Sequence, residues 1–103
     1  MALFISSFSY SAGESISRNR AIKEVLVYEG TVVVKIDPVF ENSQDCTSGS
    51  QKWLQLDYNS ETGKNQGLLS TILAAAAASK KVGFGINGCT GQYPEIYRVD
   101  VVF

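Results

Sequence analysis

The sequence predicts a mainly β domain with one helix (α+β), five strands running in the chain order β-β-β-α-β-β. Three observations predict it. Residues 22–37 alternate apolar and polar positions on either side of Glu29-Gly30, as the two strands of a hairpin do. Residues 64–79 change to the three- and four-residue spacing of a helix, rich in alanine. Beyond that helix a period of two returns and holds to the C-terminus.

The first strand covers residues 22–28 (I-K-E-V-L-V-Y) and the second 31–37 (T-V-V-V-K-I-D), with Gly30 supplying the positive φ that a two-residue turn needs. Val32, Val34 and Ile36 share one face. Pro38 ends the second strand because it cannot donate to a ladder, and residues 39–51 form a long polar connection with Asn42, Ser43, Asp45, Ser48, Gly49 and Ser50. The third strand, 53–58, places Leu54, Leu56 and Tyr58 together. Residues 59–63 supply N-cap candidates for a helix over 64–79. Leu68, Leu69, Ile72, Leu73 and Ala76 form its buried stripe, and Lys80 and Lys81 close it favourably against the dipole. The fourth strand, 81–87, sends Val82, Phe84 and Ile86 inward. Gly83 and Gly85 face the other way, where glycine marks barrel bending or the close approach of a second subunit. Residues 88–95 read as a loop, and 96–103 as a last strand with Tyr97, Val99, Val101 and Phe103 on one face.

Five strands with a helix between the third and fourth is the order of the OB-fold, a Greek-key barrel used mainly for binding. A chain of 103 residues has no room for a second core, so residues 13–103 form a single OB-fold-like domain. Residues 1–12 carry two readings. They are apolar and hydroxyl-rich and end in small residues like the end of a secretory signal, though without a basic n-region; otherwise they are an N-terminal strand.

Composition excludes several function classes. The net charge of −1 comes from 9 basic and 10 acidic residues without runs, so no basic stripe invites nucleic acid. No stretch is long enough to span a membrane as a helix. The absence of His removes the commonest general base, the Ser/His and Cys/His pairs and the usual transition-metal ligand, so no enzyme, catalytic residue, cofactor or metal site is expected. Asp37, Glu41, Asp45 and Asp57 match no calcium loop and read as solvated turn charges.

Cys46 and Cys89 are the only cysteines and sit in no metal or redox spacing. They fall in the connections before the third and fifth strands. An OB barrel runs those strands in parallel, so their leading ends lie side by side and a disulfide is expected; the alternative is two separate buried thiols. A disulfide together with a leader-like start implies a secreted or periplasmic protein.

Two surfaces are candidates for interaction. The outward helix face carries small, uncharged Ser70, Ala74, Ala75, Ala77 and Ala78, and either Ser70, Ala74 and Ala78 or a free strand edge is the expected contact of a homo-oligomer; high helix propensity alone is the other explanation of the alanines. The rim around Asn87, Thr90, Gln92 and Tyr93, with Trp53 and Tyr58 as stacking platforms, combines amides with aromatic rings as sugar faces require; alternatively, Trp53 and Tyr58 are partly buried barrel residues. The interior is excluded as a site because Val34, Leu56, Phe84 and Ile86 fill it.

The segment 67–87 (G-L-L-S-T-I-L-A-A-A-A-A-S-K-K-V-G-F-G-I-N), with Cys89 and Tyr93-Pro94 after it, resembles the helix-to-strand part of OB-fold B subunits of bacterial AB-type toxins, especially the subtilase and pertussis-like group. It also resembles small secreted proteobacterial proteins of unknown function. The likeness lies mainly in residues 67–95, in pattern and not in a sugar-binding motif that maps residue by residue. It implies ring oligomers, often pentamers, with helices lining a pore and glycan sites on the outer barrel. The expected function is therefore a non-enzymatic binding or assembly module for a glycan or protein surface. The alternative is a structural oligomerisation or inhibitor protein with no small-molecule ligand.

Overall fold

The computed structural model describes residues 14–40, 46–47 and 51–102. The two readings of residues 1–12, most of the polar connection and Phe103 lie outside the described residues. Five strands, β1 (Glu14–Tyr28), β2 (Thr31–Asp37), β3 (Trp53–Asp57), β4 (Val82–Thr90) and β5 (Tyr93–Val101), and one helix, α1 (Gln66–Ala77), follow the expected order. They hydrogen-bond in the order β1-β2-β3-β5-β4 and close into a barrel where β1 meets β4. Neighbours are antiparallel except β3 and β5, which pair in parallel at Gln55 and Glu95. No helix among the described residues is long and apolar enough to cross a membrane.

β1 serves two partners because it is 15 residues long. Residues 14–20 pair with β4 and 21–28 with β2. The sequence signal begins only at residue 22, since the preceding stretch E-S-I-S-R-N-R-A buries Ile16 alone and has no alternation of its own. Pairing, not periodicity, makes it a strand. At the other end Tyr28 pairs with Thr31 around Glu29-Gly30, and Gly30 takes a φ of 83° as the two-residue turn requires.

Val32, Val34, Ile36, Leu54, Leu56, Val82, Phe84 and Ile86 are buried in the barrel core, as their alternation requires. Each contributes about 1.5–3 kcal/mol by leaving water. β5 departs from the expected face. Its register with β4 passes from Gly85–Arg98 to Ile86–Ile96, skipping Tyr97. This bulge inverts the alternation, so Ile96 faces the core before it and Val99 and Val101 pack on the core after it, while Tyr97 is left 48% exposed.

Gly83 and Gly85 answer to neighbours in the same chain. A Cβ on Gly83 would stand 2.6 Å from the Ile16 carbonyl oxygen, and one on Gly85 would stand 2.9 Å from Cζ of Tyr97. The expected loop over 88–95 is mostly strand. β4 continues through a second irregularity between Ile86 and Cys89 to Thr90, which pairs with Tyr93 across a Gly91-Gln92 turn. Gly88 and Gly91, with φ of 70° and 62°, mark that bulge and that turn.

α1 buries Leu69, Ile72 and Ala75. Leu68 packs partly against the core, but Leu73 is 44% exposed and Ala75, expected on the outer face, is fully buried. Consecutive helical residues point about 100° apart, so a helix seated on Ile72 turns Leu73 towards the flank. The N-cap is Asn65, left-handed at φ 60° and without a side-chain cap; its Nδ2 donates instead to the Asp57 carbonyl at 2.6 Å. Asn59 caps its own turn, its Oδ1 accepting from the Glu61 and Thr62 N–H groups. Beyond the C-cap Ala78, Ser79 is also left-handed at φ 55°, with Ser79 N–H donating to Ala76 O and Lys80 N–H to Ala75 O. This is a Schellman closure. Lys80 and Lys81 therefore fall beyond the last turn, not in it.

Candidate functional site

Because Leu54 and Leu56 point into the core, Trp53, Gln55 and Asp57 point out, and β2 sets Lys35, Val33 and Thr31 opposite them. The β4–β5 hairpin lays its tip beside this face. The Trp53 and Tyr93 rings have centroids 6.4 Å apart, inclined at 39°. Lys35 Nζ lies 5.7 Å from the Trp53 ring centroid. The Gly91 turn rests against the Gln55 amide, since a Cβ there would lie 3.1 Å from Gln55 Oε1.

Two fastenings hold the tip, and a third bond steadies the Asp57 carboxylate that one of them uses. Thr90 Oγ1 donates to Asp57 Oδ2 at 2.7 Å, and Thr31 Oγ1 donates to Asp57 Oδ1 at 3.4 Å. Asp57 is thus a structural acceptor in β3 and not the solvated turn charge expected. The Cys46–Cys89 disulfide forms as expected, with Cα atoms 5.7 Å apart, and ties the β2–β3 connection to β4 one residue before Thr90. A platform supported on both sides keeps its rings in place before any ligand arrives.

Of the expected ligand residues, Trp53, Thr90 and Tyr93 come together, and Gln92 stands exposed in the adjoining turn. Asn87 is exposed in the β4 bulge between Ile86 and Cys89. Tyr58 is no part of this cluster. Its hydroxyl donates to the Tyr28 carbonyl at 2.6 Å, beside a 290 Å³ pocket formed with Glu29, Asn59 and Glu61. Sequence reasoning missed Lys35 and Gln55; the signal for them was their place on the outward parity shared with Trp53. Ser70, Ala74 and Ala78 are all exposed, with Leu73 on the flank of that face.

The cluster offers two aromatic faces, a primary amide, hydroxyls and one ammonium, which suits a ligand with both C–H faces and hydroxyl rims. No family model, curated protein or solved structure matches the chain.

Proposed function

We propose that the protein is a non-enzymatic OB-fold-like binding module, secreted or periplasmic, that recognises a glycan through the Trp53–Tyr93 face. The observation that carries the reading is the ring pair at 6.4 Å with the Gln55 amide beside the hairpin tip. Support for the OB-fold comes from the closed order β1-β2-β3-β5-β4 with the helix between β3 and β4. In that fold the face of strands 2 and 3 and its neighbouring loops bind oligosaccharides and oligonucleotides. A net charge of −1 favours the sugar over the nucleic acid. The disulfide supports an oxidising compartment.

A platform of two rings and a few hydrogen-bonding groups binds weakly per site, so useful affinity comes from several copies presenting it at once. The exposed Ser70, Ala74 and Ala78 face, flanked by exposed Leu73, is the contact that a homo-oligomer, a ring included, would use. A glycan array probed with wild-type protein and Tyr93→Ala tests the reading. Wild type is expected to bind a subset of glycans, and Tyr93→Ala to lose them with its circular dichroism unchanged. Equal binding by the variant, or a ligand enclosed in the barrel, would overturn it. The second reading, an oligomerisation or inhibitor protein, rests on the same helix face; it predicts an oligomeric mass that Ala74→Glu reduces to the monomer, with no glycan bound.

A further inference from the structure

A separate groove of 230 Å³ lies between the middle of β1 and the C-terminal end of α1. Ala21, Ile22, Ala75 and Ala76 give it an apolar side, and Lys23, Ser79, Lys80 and Lys81 line the rest. We infer that this groove is an anion site that takes the phosphate or sulfate group of a small molecule.

Three of the chain's nine basic residues converge here, and no described carboxylate lines the groove. None of the three lysines forms an ion pair among the described residues. Asp37 stands opposite Ala21 in the β1–β2 ladder and Glu24 follows Lys23 in β1, opposite Lys35; neither lines the groove. Positive charge in a concave site concentrates its potential, and this cluster runs against the chain's overall charge. A tetrahedral oxyanion offers an acceptor to each ammonium without demanding the fixed fork that arginine supplies.

Backbone irregularities aim these groups. Lys23 sits where the β1–β2 register shifts between Ile22 and Glu24, a bulge that redirects a side chain. Ser79 holds the left-handed position after the helix, where glycine is the low-cost residue, and keeps a hydroxyl that lines the groove. The Schellman bonds fix Ser79 and Lys80 relative to Ala75 and Ala76. Concavity between a strand and a helix suits a single oxyanion group better than a flat lipid surface.

The test is amide NMR of the oxidised chain titrated with inorganic phosphate and inorganic sulfate, against sodium chloride at matched ionic strength. Saturable shifts are expected at residues 22–24 and 79–81, with a Kd on the order of 1–10 mM. The Lys80→Gln/Lys81→Gln double variant should bind about tenfold more weakly. Ser79→Gly should bind about threefold more weakly while its thermal midpoint does not fall, which separates loss of the hydroxyl from loss of the fold. Trp53 emission should not change, since the groove is distinct from the ring platform. Equal shifts with chloride, shifts spread over every basic residue, or wild-type binding by the variants would overturn the site. A response to phosphatidylglycerol vesicles alone would overturn it as well.

Discussion

Gly83 is defined by what cannot be added to it. A Cβ there would meet the Ile16 carbonyl oxygen at 2.6 Å and Arg18 Cγ at 2.8 Å, so β1 has to move for any side chain to fit. At Gly85 the obstacles are the Tyr97 ring at 2.9 Å, which is half exposed and can swing, and Arg98 Cβ at 3.0 Å, which moves only with β5. Gly67, on α1, has nothing within 4 Å of its added Cβ. Urea denaturation of the three alanine variants should therefore rank them. Gly83→Ala is expected to lose about 2–3 kcal/mol and Gly85→Ala about 1 kcal/mol. Gly67→Ala is expected to gain about 0.5–1 kcal/mol from helix propensity. Equal effects at Gly83 and Gly67 would contradict the packing described. Glycine at 83 and 85 was legible as a mark of bending or close approach; the neighbours responsible were not, because they lie on β1 and β5, far along the chain.

Elements were legible where their signal is local. The β1–β2 turn and β2 match their expected bounds because alternation, Gly30 and Pro38 all act within a few residues. Three features were hidden because they depend on partners. Residues 14–21, polar apart from Ile16 and Ala21, become strand by pairing with β4 and β2. Tyr97 sits on a bulge set by the β4 register, which no alternation in β5 reports. The phase of α1 was ambiguous because alanine occupies both faces, and the barrel end selects Ile72 and Ala75. Charge at neighbouring alanines tests that phase: Ala75→Asp should cost more than about 3 kcal/mol, while Ala74→Asp should change monomer stability by less than about 0.5 kcal/mol. The disulfide is an element-scale restraint too, closing a loop with a sequence separation of 43. Reduction should lower unfolding free energy by about 4 kcal/mol in the chain-entropy estimate, read as a shift in the denaturation midpoint between oxidised and reduced protein. Coincident curves would contradict it.

At the scale of the whole molecule, the ring platform depends on β3 pairing with β5. β3 supplies Trp53 and Gln55, the β4–β5 hairpin supplies Thr90 and Tyr93, and the parallel contact at Gln55 and Glu95 brings the two together. From the sequence, Trp53 and the residues from Asn87 to Tyr93 were visible as aromatics beside amides, but the hairpin that seats Tyr93 next to Trp53 was not. Trp53 is the only tryptophan in the chain, so its emission reports on the proposed site directly. The decisive measurement is a fluorescence titration of the oxidised protein with an oligosaccharide that it retains on an array. A saturable change in Trp53 emission that Tyr93→Ala abolishes is expected; bound oligosaccharide with unaltered Trp53 emission, or the same titration in Tyr93→Ala, would contradict glycan recognition at the ring pair.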